Sequence, residues 1–249
     1  THSLTANYDY RVNNDLSVSA GIRWEDYSDF DDQITHRTGF SYKLSKTASV
    51  RASYGKAYRI PGFERLFGMF GNPNLRAQTS KGWDFGFDKE FAGGDLTVSY
   101  FESDIENAMS LFGSTNIPGK TKVNGVEFGY VGHAFDNKLN YSVNYTWLEN
   151  SLDDLPEHSA SAQASYTFKE KTTVGGSVNY LDNRSYGSNT LKSHVLVGAF
   201  IKHKLNANVE LHVRAENLTN EDYVQFDNTF EGVFPGRGAG LFAGATVNW

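Results

Sequence analysis

Strict alternation of apolar and polar residues recurs along this chain and limits what it can fold into. Between residues 139 and 147, apolar or aromatic residues hold the odd positions, and Asn, Ser or Thr hold the even positions. Successive side chains of a β-strand point to opposite faces, so the pattern predicts strands with one apolar and one polar face. We predict an all-β chain of about thirteen strands. They lie near 2–10, 16–27, 34–44, 47–58, 78–91, 95–108, 121–134, 138–149, 158–169, 172–183, 191–205, 208–218 and 237–249.

The lengths of the strands and of their connections indicate a membrane barrel. Many segments exceed the usual strand of a soluble sheet and match the roughly 9–11 residues of a tilted membrane strand. Tight turns such as Asp136-Asn137 and Asn206-Ala207 alternate with longer connections. Short turns at one end and long loops at the other are typical of an outer-membrane β-barrel, whose long loops lie outside the cell. The longer connections are 59–77, 109–120, 184–190 and 219–236.

Aromatic residues concentrate at both ends of the predicted strands. Two aromatic girdles are expected where a barrel meets the two membrane interfaces. A soluble β-sandwich is the alternative, but its strands would be shorter and its aromatics would collect in the core. The residues near the long-loop ends are Trp24, Tyr27, Tyr54, Tyr58, Tyr145, Trp147, Tyr180 and Tyr186. Those near the short-turn ends are Tyr8, Tyr10, Phe40, Tyr42, Phe91, Phe135, Tyr166 and Phe168.

Composition excludes several other classes of protein. The chain has no cysteine, which rules out a disulfide scaffold and thiolate zinc sites. Its net charge is −6 with no basic block, so a nucleic-acid partner is not expected. The longest apolar run, 195–201, is far shorter than the ~20 residues of a membrane helix, so any crossing requires a closed sheet.

No pattern of catalytic or metal-ligating residues is found. The chain lacks a phosphate-binding glycine loop, and His194, His203 and His212 lie nine residues apart without ligand spacing. Asp29, Asp31 and Asp32 are either a calcium site or a solvated loop, and they lack the EF-hand spacing. We therefore predict no enzyme, no cofactor and no metal.

Four ordered motifs resemble those of the TonB-dependent outer-membrane receptor family, and together they cover nearly the whole chain. Residues 54–66 are similar to a strand followed by R-x-P-x-x-x-x-L, and residues 71–84 are similar to G-N-P-x-L-x-P-E-x-S-x-x-x-E. Arg76-Ala77-Gln78 departs from the second pattern, as does Asp84. Residues 123–127 match x-x-G-V-E. Residues 216–237 are similar to N-L-F-D-K-x-Y followed by P-G-R, with Thr219-Asn220-Glu221 in place of F-D-K. The matching residues, for which we expect structural roles, are Asn72, Pro73, Leu75, Gly125, Asn217, Leu218, Tyr223, Gly236 and Arg237.

The resemblance implies a transmembrane antiparallel β-barrel of 22 strands with a plugged lumen. The thirteen predicted strands would be its C-terminal part, with the plug domain and the early strands absent from these 249 residues. Such a receptor imports a ferric siderophore or a cobalamin across the bacterial outer membrane with energy from the TonB complex, which contacts the plug. The run from Gly71 to Trp83 is most similar to vitamin B12 and catecholate siderophore receptors. Lipopolysaccharide and the barrel-assembly machinery are further expected partners, the latter reading the terminal strand that ends in Trp249.

Two sets of side chains are candidates for function within this barrel. Arginines in the outer loops would attract an anionic chelate, and aromatic rings would stack on it. The ligand candidates are Arg59, Arg65, Phe67, Phe70, Tyr186, Phe226 and Phe230. Charged residues on the polar face would contact the plug or hydrate the lumen. These are Arg23, Arg37, Arg51, Glu127, Glu210, Arg214 and Glu216.

Two other functions compete with import. A passive porin or channel would be a self-contained barrel, but single-chain bacterial barrels have even strand numbers. An outer-membrane phospholipase or protease needs a catalytic set at the rim, and none is recognised.

Overall fold

Strands make up most of the chain in the computed structural model, which describes residues 1–28, 30–110, 115–150, 155–186, 189–228 and 232–249. The elements are β1 (His2–Arg11), β2 (Leu16–Asp26), β3 (Gln33–Ser45), β4 (Ala48–Arg59), α1 (Phe63–Phe67), β5 (Gln78–Phe91), β6 (Gly94–Glu106), β7 (Lys120–Ala134), β8 (Leu139–Asn150), β9 (His158–Phe168), β10 (Thr172–Leu181), β11 (Arg184–Tyr186), β12 (Asn189–Leu191), β13 (His194–Lys204), β14 (Val209–Glu216), β15 (Val224–Asn228), β16 (Gly232–Pro235) and β17 (Gly240–Val247). No helix in the described ranges is both long and apolar enough to cross a membrane.

Thirteen of the strands form one sheet in the order β1-β2-β3-β4-β5-β6-β7-β8-β9-β10-β13-β14-β17. The predicted all-β fold with thirteen main strands is therefore confirmed. The soluble sandwich is wrong, because these strands do not divide between two stacked sheets. The chain also divides into two compact units. The first comprises Thr1–Lys89, Val98–Val126 and Leu148–Leu152, and the second comprises Glu90–Thr97, Glu127–Trp147 and Asp153–Trp249.

The predicted strand ends differ from the observed ones at several places. The strand expected at 191–205 begins only at His194, because Leu191 belongs to the short hairpin before it. The last strand ends at Val247 rather than at Trp249, whose side chain is fully exposed. Hairpins β11–β12 and β15–β16 and helix α1 lie inside connections expected to be irregular. These elements are too short for a period of 2 or 3.6 residues to distinguish them from a loop.

Asparagine side chains close two of the tight turns in the same way. Asn13 Oδ1 accepts hydrogen bonds from the backbone N–H groups of Asp15 and Leu16, both at 2.8 Å. Asn206 Oδ1 accepts from Asn208 and Val209 at 2.8 and 2.9 Å. Such local side-chain bonds satisfy turn donors that have no strand partner, which is why Asn is favoured there.

The strand register separates an apolar from a polar face. In the first unit, directly opposed residues form the apolar row Tyr10, Val18, Phe40, Ala52 and Phe85. The adjacent row on the other face is Asp9, Ser19, Gly39, Ser53 and Asp84. In the second unit the apolar row is Val143, Ala162, Val178 and Val197.

The apolar face is left uncovered in both units. Phe40 is 43% exposed, Phe85 45% and Val178 45%. Only Leu75, Ile105, Ala108, Leu148 and Leu191 are buried hydrophobic residues among the described positions. Exposed apolar surface on this scale indicates that another apolar phase covers it.

A lysine on each face tests this assignment. We expect Val18→Lys to lower the free energy of unfolding from phospholipid vesicles by about 2–4 kcal/mol, since it would place a charge on the face predicted to meet lipid. Ser19→Lys should change it little, because position 19 lies in the row of Asp9 and Asp84. Urea titration of the folded protein in vesicles measures both. Equal losses from the two variants would contradict the assignment of the faces.

Candidate functional site

The loop after β4 is shaped by a turn at Asn72. The Asn72 backbone N–H donates to Arg65 O at 2.8 Å, and Asn72 Oδ1 accepts from the Asn74 N–H at 2.9 Å. Pro73 fixes the backbone between the two asparagines, and the Leu75 N–H returns to Asn72 O at 3.2 Å. Leu75 is only 4% exposed. The Asn-Pro-Asn-Leu run therefore works as a turn that buries a leucine, as its sequence suggests.

Asn116 joins this loop to the next long one. Its Nδ2 donates to Arg76 O at 3.0 Å and to Asn107 O at 2.8 Å, and its Oδ1 accepts from the Arg76 N–H at 2.8 Å. Arg65 adds a longer contact, Nη1 to Ser110 O at 3.4 Å. Two predicted ligand loops are thus joined mainly by the Asn116 amide, with longer bonds from Arg65 and from Asn107 Nδ2 to Ala77 O at 3.4 Å. No motif in the sequence marks Asn116.

A cleft of about 920 Å³ lies in the first unit beside these loops. Asp31, Tyr58, Asn74 and Arg76 line it together with Phe67, the one ligand candidate among its described lining residues. The walls offer an aromatic ring, a guanidinium and amide groups. This mixture suits a ligand that is partly apolar and partly charged.

An exposed apolar ridge, the α1 ridge, consists of Phe63, Phe67, Met69 and Phe70. Their exposed fractions are 77%, 62%, 93% and 75%. The Phe63 and Phe67 ring centroids are 5.3 Å apart, one helical turn from each other. A cluster of large apolar side chains at a loop tip gives no stability while exposed and is suited to binding. The sequence prediction included Phe67 and Phe70 and missed Phe63 and Met69.

The remaining ligand candidates of the first unit have different surroundings. Arg59 is exposed at the end of β4, and Arg65 is half-buried in α1.

Beside the cleft, the rings of Tyr58 and Tyr27 lie 5.8 Å apart. Burial raises the pKa of Tyr27, and its hydrogen bond to Glu25 raises it further. Glu25 itself pairs with Arg23 at 2.7 Å. Tyr27 is therefore a neutral hydroxyl at this loop end.

Two ligand candidates of the second unit, Tyr186 and Phe226, belong to its short hairpins. Arg184 Nη2 donates to Gln225 O at 2.5 Å and joins β11 to β15. The Phe226 ring stacks on Phe234 with 4.1 Å between centroids. Tyr186 ends β11, but its side chain lies outside the described part, as does all of Phe230.

Asn217 anchors the loop before the last strand. Its Nδ2 donates to Glu221 O at 2.9 Å and to Arg237 O at 3.0 Å, and its Oδ1 accepts from the Glu221 N–H at 2.8 Å. It is 6% exposed and has a positive φ of 47°, which Asn tolerates well. The backbone N–H of Leu218 donates to Val197 O at 2.8 Å. The Asn-Leu pair thus fastens this loop to β13.

Tyr223 and Gly236 form the second half of that motif. The Tyr223 ring stacks on His194 at 4.6 Å and covers Gly236, where a Cβ would overlap the ring. The Gly236 N–H donates to Tyr223 O at 2.7 Å. The Arg237 guanidinium lies 5.5 Å from the centre of the Phe242 ring. Glycine is required because the ring leaves no room for a side chain.

Charged residues of the polar face form pairs within the sheet. Arg37 donates to Ser53 Oγ at 3.1 Å, and Ser53 donates to Asp84. Arg51 pairs with Asp88 at 2.5 Å. In the second unit, Arg214 pairs with Glu216 at 3.1 Å and lies 4.9 Å from the Phe242 ring centre. Glu127 is exposed on β7, and Glu210 lies opposite Lys204. Gly125, a residue of the family motifs, is buried in β7 beside Asn124. In the described part of the chain, no cluster of three or more His, Asp or Glu could hold a metal.

Removing the Asn116 amide should loosen both loops. We expect Asn116→Ala to lower the local opening free energy at the Arg76 N–H by about 0.5–1.5 kcal/mol, because this largely exposed group loses its acceptor. Asn116→Asp keeps the acceptor but sets a carboxylate oxygen against the carbonyl oxygens of Arg76 and Asn107, so it should lose at least as much protection as Asn116→Ala. Amide hydrogen exchange at Arg76 reports the difference. Unchanged protection in Asn116→Ala would show that the amide does not hold the loops.

A methyl group at Gly236 should be costly. Gly236→Ala is expected to lower stability by about 1–3 kcal/mol through overlap with the Tyr223 ring. Gly62→Ala is the control, since its Cβ would meet nothing within 4 Å and its φ is −68°. Thermal unfolding of both variants, and of Gly236→Ala combined with Tyr223→Ala, measures the effect. A Gly236→Ala protein as stable as the control would refute the steric argument.

Solved structures with this fold were found by comparison. A mutant of the ferric enterobactin receptor PfeA from Pseudomonas aeruginosa is 18% identical to this chain, with a TM-score of 0.83. The match covers 98% of this chain and 44% of the PfeA chain. The closed form of the ferric-catecholate import receptor Fiu from E. coli is 17% identical, with a TM-score of 0.80. The match covers 98% of this chain and 44% of the Fiu chain. The copper transporter OprC is 14% identical with a TM-score of 0.81, at 99% and 47% coverage.

At these identities the likeness shows the fold alone, and this chain spans less than half the length of those proteins. The family comparison is more direct. The family described as TonB dependent receptor-like, beta-barrel, matches residues 1–218, which is most of the chain. The resemblance inferred from the four motifs is therefore confirmed, and this chain belongs to the TonB-dependent receptor-like β-barrel family.

Proposed function

We propose that this chain forms wall and outer loops of a bacterial outer-membrane receptor that imports a ferric chelate with TonB-supplied energy. The family match over residues 1–218 is the observation that carries the proposal. Two of the solved structures with this fold are named for ferric enterobactin and ferric catecholates. A catecholate chelate is anionic and aromatic, so it suits the arginines and rings at the long loops. Cobalamin is the other ligand class that the motifs suggest.

Membrane placement follows from the two faces of the sheet. The apolar face exposes Phe40, Phe85 and Val178. Lipid would cover these side chains without removing water from polar groups. The polar face, with Arg37, Asp84 and many small residues, would face a wet lumen. Burying large apolar side chains in lipid stabilises each by about 1.5–3 kcal/mol relative to water.

Further strands and a plug would complete the receptor. In the described sheet, β1 and β17 each have one neighbouring strand. An open edge in lipid leaves backbone groups without hydrogen bonds, which costs several kcal/mol per group. We propose that early strands of a 22-stranded barrel pair with these edges and that a plug fills the lumen and contacts TonB. The barrel-assembly machinery and lipopolysaccharide are the other proposed partners.

Ligand capture would use the α1 ridge and the nearby cations. Phe63 and Phe67 present two rings at the loop tip, and Arg76 contributes a guanidinium to the cleft beside them. Rings stack on the catechol groups, and the guanidinium attracts the negative complex. Arg59, Phe70, Tyr186, Phe226 and Phe230 stay candidates at the remaining loop ends.

Truncating the ridge tests the capture step. We expect Phe63→Ala combined with Phe67→Ala to weaken binding of a ferric catecholate about tenfold or more, as two stacked rings are lost. Phe135→Ala is the control, since Phe135 is 68% exposed but lies in a short turn. Binding to the purified full-length receptor is measured by fluorescence quenching. Equal affinity in both variants would remove the ridge from the ligand site.

The import function has its own test. A strain deleted for the gene should lose growth on one ferric siderophore, or on cobalamin, when that compound is the single source. Restoring the gene should restore growth. Normal growth of the deletion strain on every siderophore and on cobalamin would refute import of these ligands.

A further inference from the structure

Across the paired residues of β8, β9 and β10, the polar face carries no charged side chain. In this register Asn144 lies opposite Ser161, and Ser161 lies opposite Asn179. Their row is on the other face from Val143, the next residue along β8. We call this face the uncharged wall. It consists of the even-numbered residues 140–146 of β8 and the odd-numbered residues 159–167 of β9 and 173–181 of β10, all of them Asn, Gln, Ser, Thr, Gly or Leu.

The uncharged wall continues along the whole length of the strands. From Ser159 to Thr167 it extends about 26 Å, at about 3.3 Å per residue. This length is comparable with the roughly 25 Å apolar band of an outer-membrane barrel. In the proposed membrane placement, a polar surface without charge therefore runs through most of the bilayer.

A groove of about 440 Å³ lies at the long-loop end of the uncharged wall. Asn144, Ser161 and Asn179 line it, together with His194 of β13. Asn144 Nδ2 makes only a long bond to Ser161 Oγ, at 3.4 Å. Within the described ranges, the side-chain amides of Gln163 and Asn179 form no hydrogen bond to the chain. These amides therefore offer both donors and acceptors to water or to a ligand.

The polar face of the first unit is built differently. Its successive rows contain the charged residues Arg23, Arg37, Asp84 and Arg51. Arg51 pairs with Asp88 at 2.5 Å, while the Arg37 side chain is 76% exposed. Charge-assisted bonds from such groups give a docked domain a fixed geometry. This face is therefore suited to holding a plug in place.

An anionic chelate would meet the two polar faces in different ways. Guanidinium groups would hold it tightly, and carboxylates would repel it. Neutral amides and hydroxyls bind more weakly, because a typical hydrogen bond contributes only about 0.5–1.5 kcal/mol net. A path needs sites that are weak and repeated, so that the ligand enters and leaves each of them. The uncharged wall has this property over its whole length.

We propose that the uncharged wall lines the aqueous path along which the imported ferric chelate passes the plug. The groove at Asn144 receives the chelate from the outer loops. Gln163 and Ser177, which lie opposite each other, contact it further along. The plug is held against the polar face of the first unit. This inference rests on the proposed function, because it needs both a plug and an anionic ligand.

Thiol modification of the purified full-length receptor tests which face the plug leaves open. The 249 residues contain no cysteine, so Ser161→Cys and Ser19→Cys each introduce one thiol into this part of the receptor. We expect a small anionic methanethiosulfonate to modify position 161 at least about tenfold faster than position 19, because the plug covers only the latter. In this chain by itself, Ser19 is the more exposed of the two. The expected order therefore does not arise from the barrel wall alone.

A charge on the uncharged wall tests the passage of the chelate. Gln163→Arg would hold the anion at one site. We therefore expect uptake of radiolabelled iron from ferric enterobactin by whole cells to slow about tenfold, with unchanged affinity at the cell surface. Ala92→Arg is the matched control, since it adds the same charge in the exposed β5–β6 turn and should transport as the wild type does.

Two results would overturn the proposal. Equal modification rates at positions 161 and 19, or a faster rate at 19, would show that the plug covers the uncharged wall as well or instead. Uptake by Gln163→Arg as fast as by Ala92→Arg would show that the chelate passes elsewhere. If Gln163→Arg does not fold, as judged by circular dichroism, Gln163→Glu should slow uptake through repulsion of the anion.

Failure here is separable from failure of the proposed function. A wild type that takes up no iron from ferric enterobactin would refute the catecholate as its ligand, and the thiol rates of the purified receptor would still decide which face is open. A receptor that imports the chelate equally well with Gln163→Arg would refute only this path.

Discussion

The antiparallel backbone ladder is the interaction on which the rest of this structure depends. Each main strand pairs with its sequence neighbours, and the register decides which side chains share a face. A slip of one residue would exchange the faces and place Asp84 where Phe85 now lies. The ladder also satisfies the backbone groups that a bilayer cannot hydrate. Hydrophobic burial within the chain contributes little, because only five hydrophobic residues among the described positions are buried. Within the described residues, stability comes mainly from the ladder, and in the proposed membrane placement lipid on the apolar face would add to it.

Side-chain amides satisfy backbone hydrogen-bonding groups in the loops, as the ladder satisfies them in the strands. Asn72, Asn116 and Asn217 each bond to backbone groups that have no strand partner. An amide has donors and an acceptor on one rigid group, so it can bridge two chain segments at once. Two of these three asparagines belong to the family motifs. Those motifs therefore describe how the loops are built, and the proposed ligand contacts lie on other side chains such as the α1 ridge.

The two faces of the first unit would have different roles in the proposed receptor. The polar face holds its charges in pairs such as Arg51 with Asp88, so it offers a hydrated and nearly neutral wall. The apolar face exposes aromatic and aliphatic side chains such as Phe40 and Phe85. The loop ends add exposed rings and a cleft. In the proposed receptor, the lumen, the lipid and the ligand would thus each contact a different kind of surface.

The sequence alone determined the strands, their two faces and the family, because a two-residue period and short motifs are local signals. The alternation from Leu139 to Trp147 needs no partner to be recognised. Only the tertiary structure decided which strands' residues face each other, since register depends on contacts between distant parts of the chain. Lys56 and Lys81 are ordinary strand lysines in the sequence, and the β4–β5 register alone makes them neighbours. Asn116 and the hairpins β11–β12 and β15–β16 were missed for a related reason. Their bonds reach across loops or are too few to leave a period.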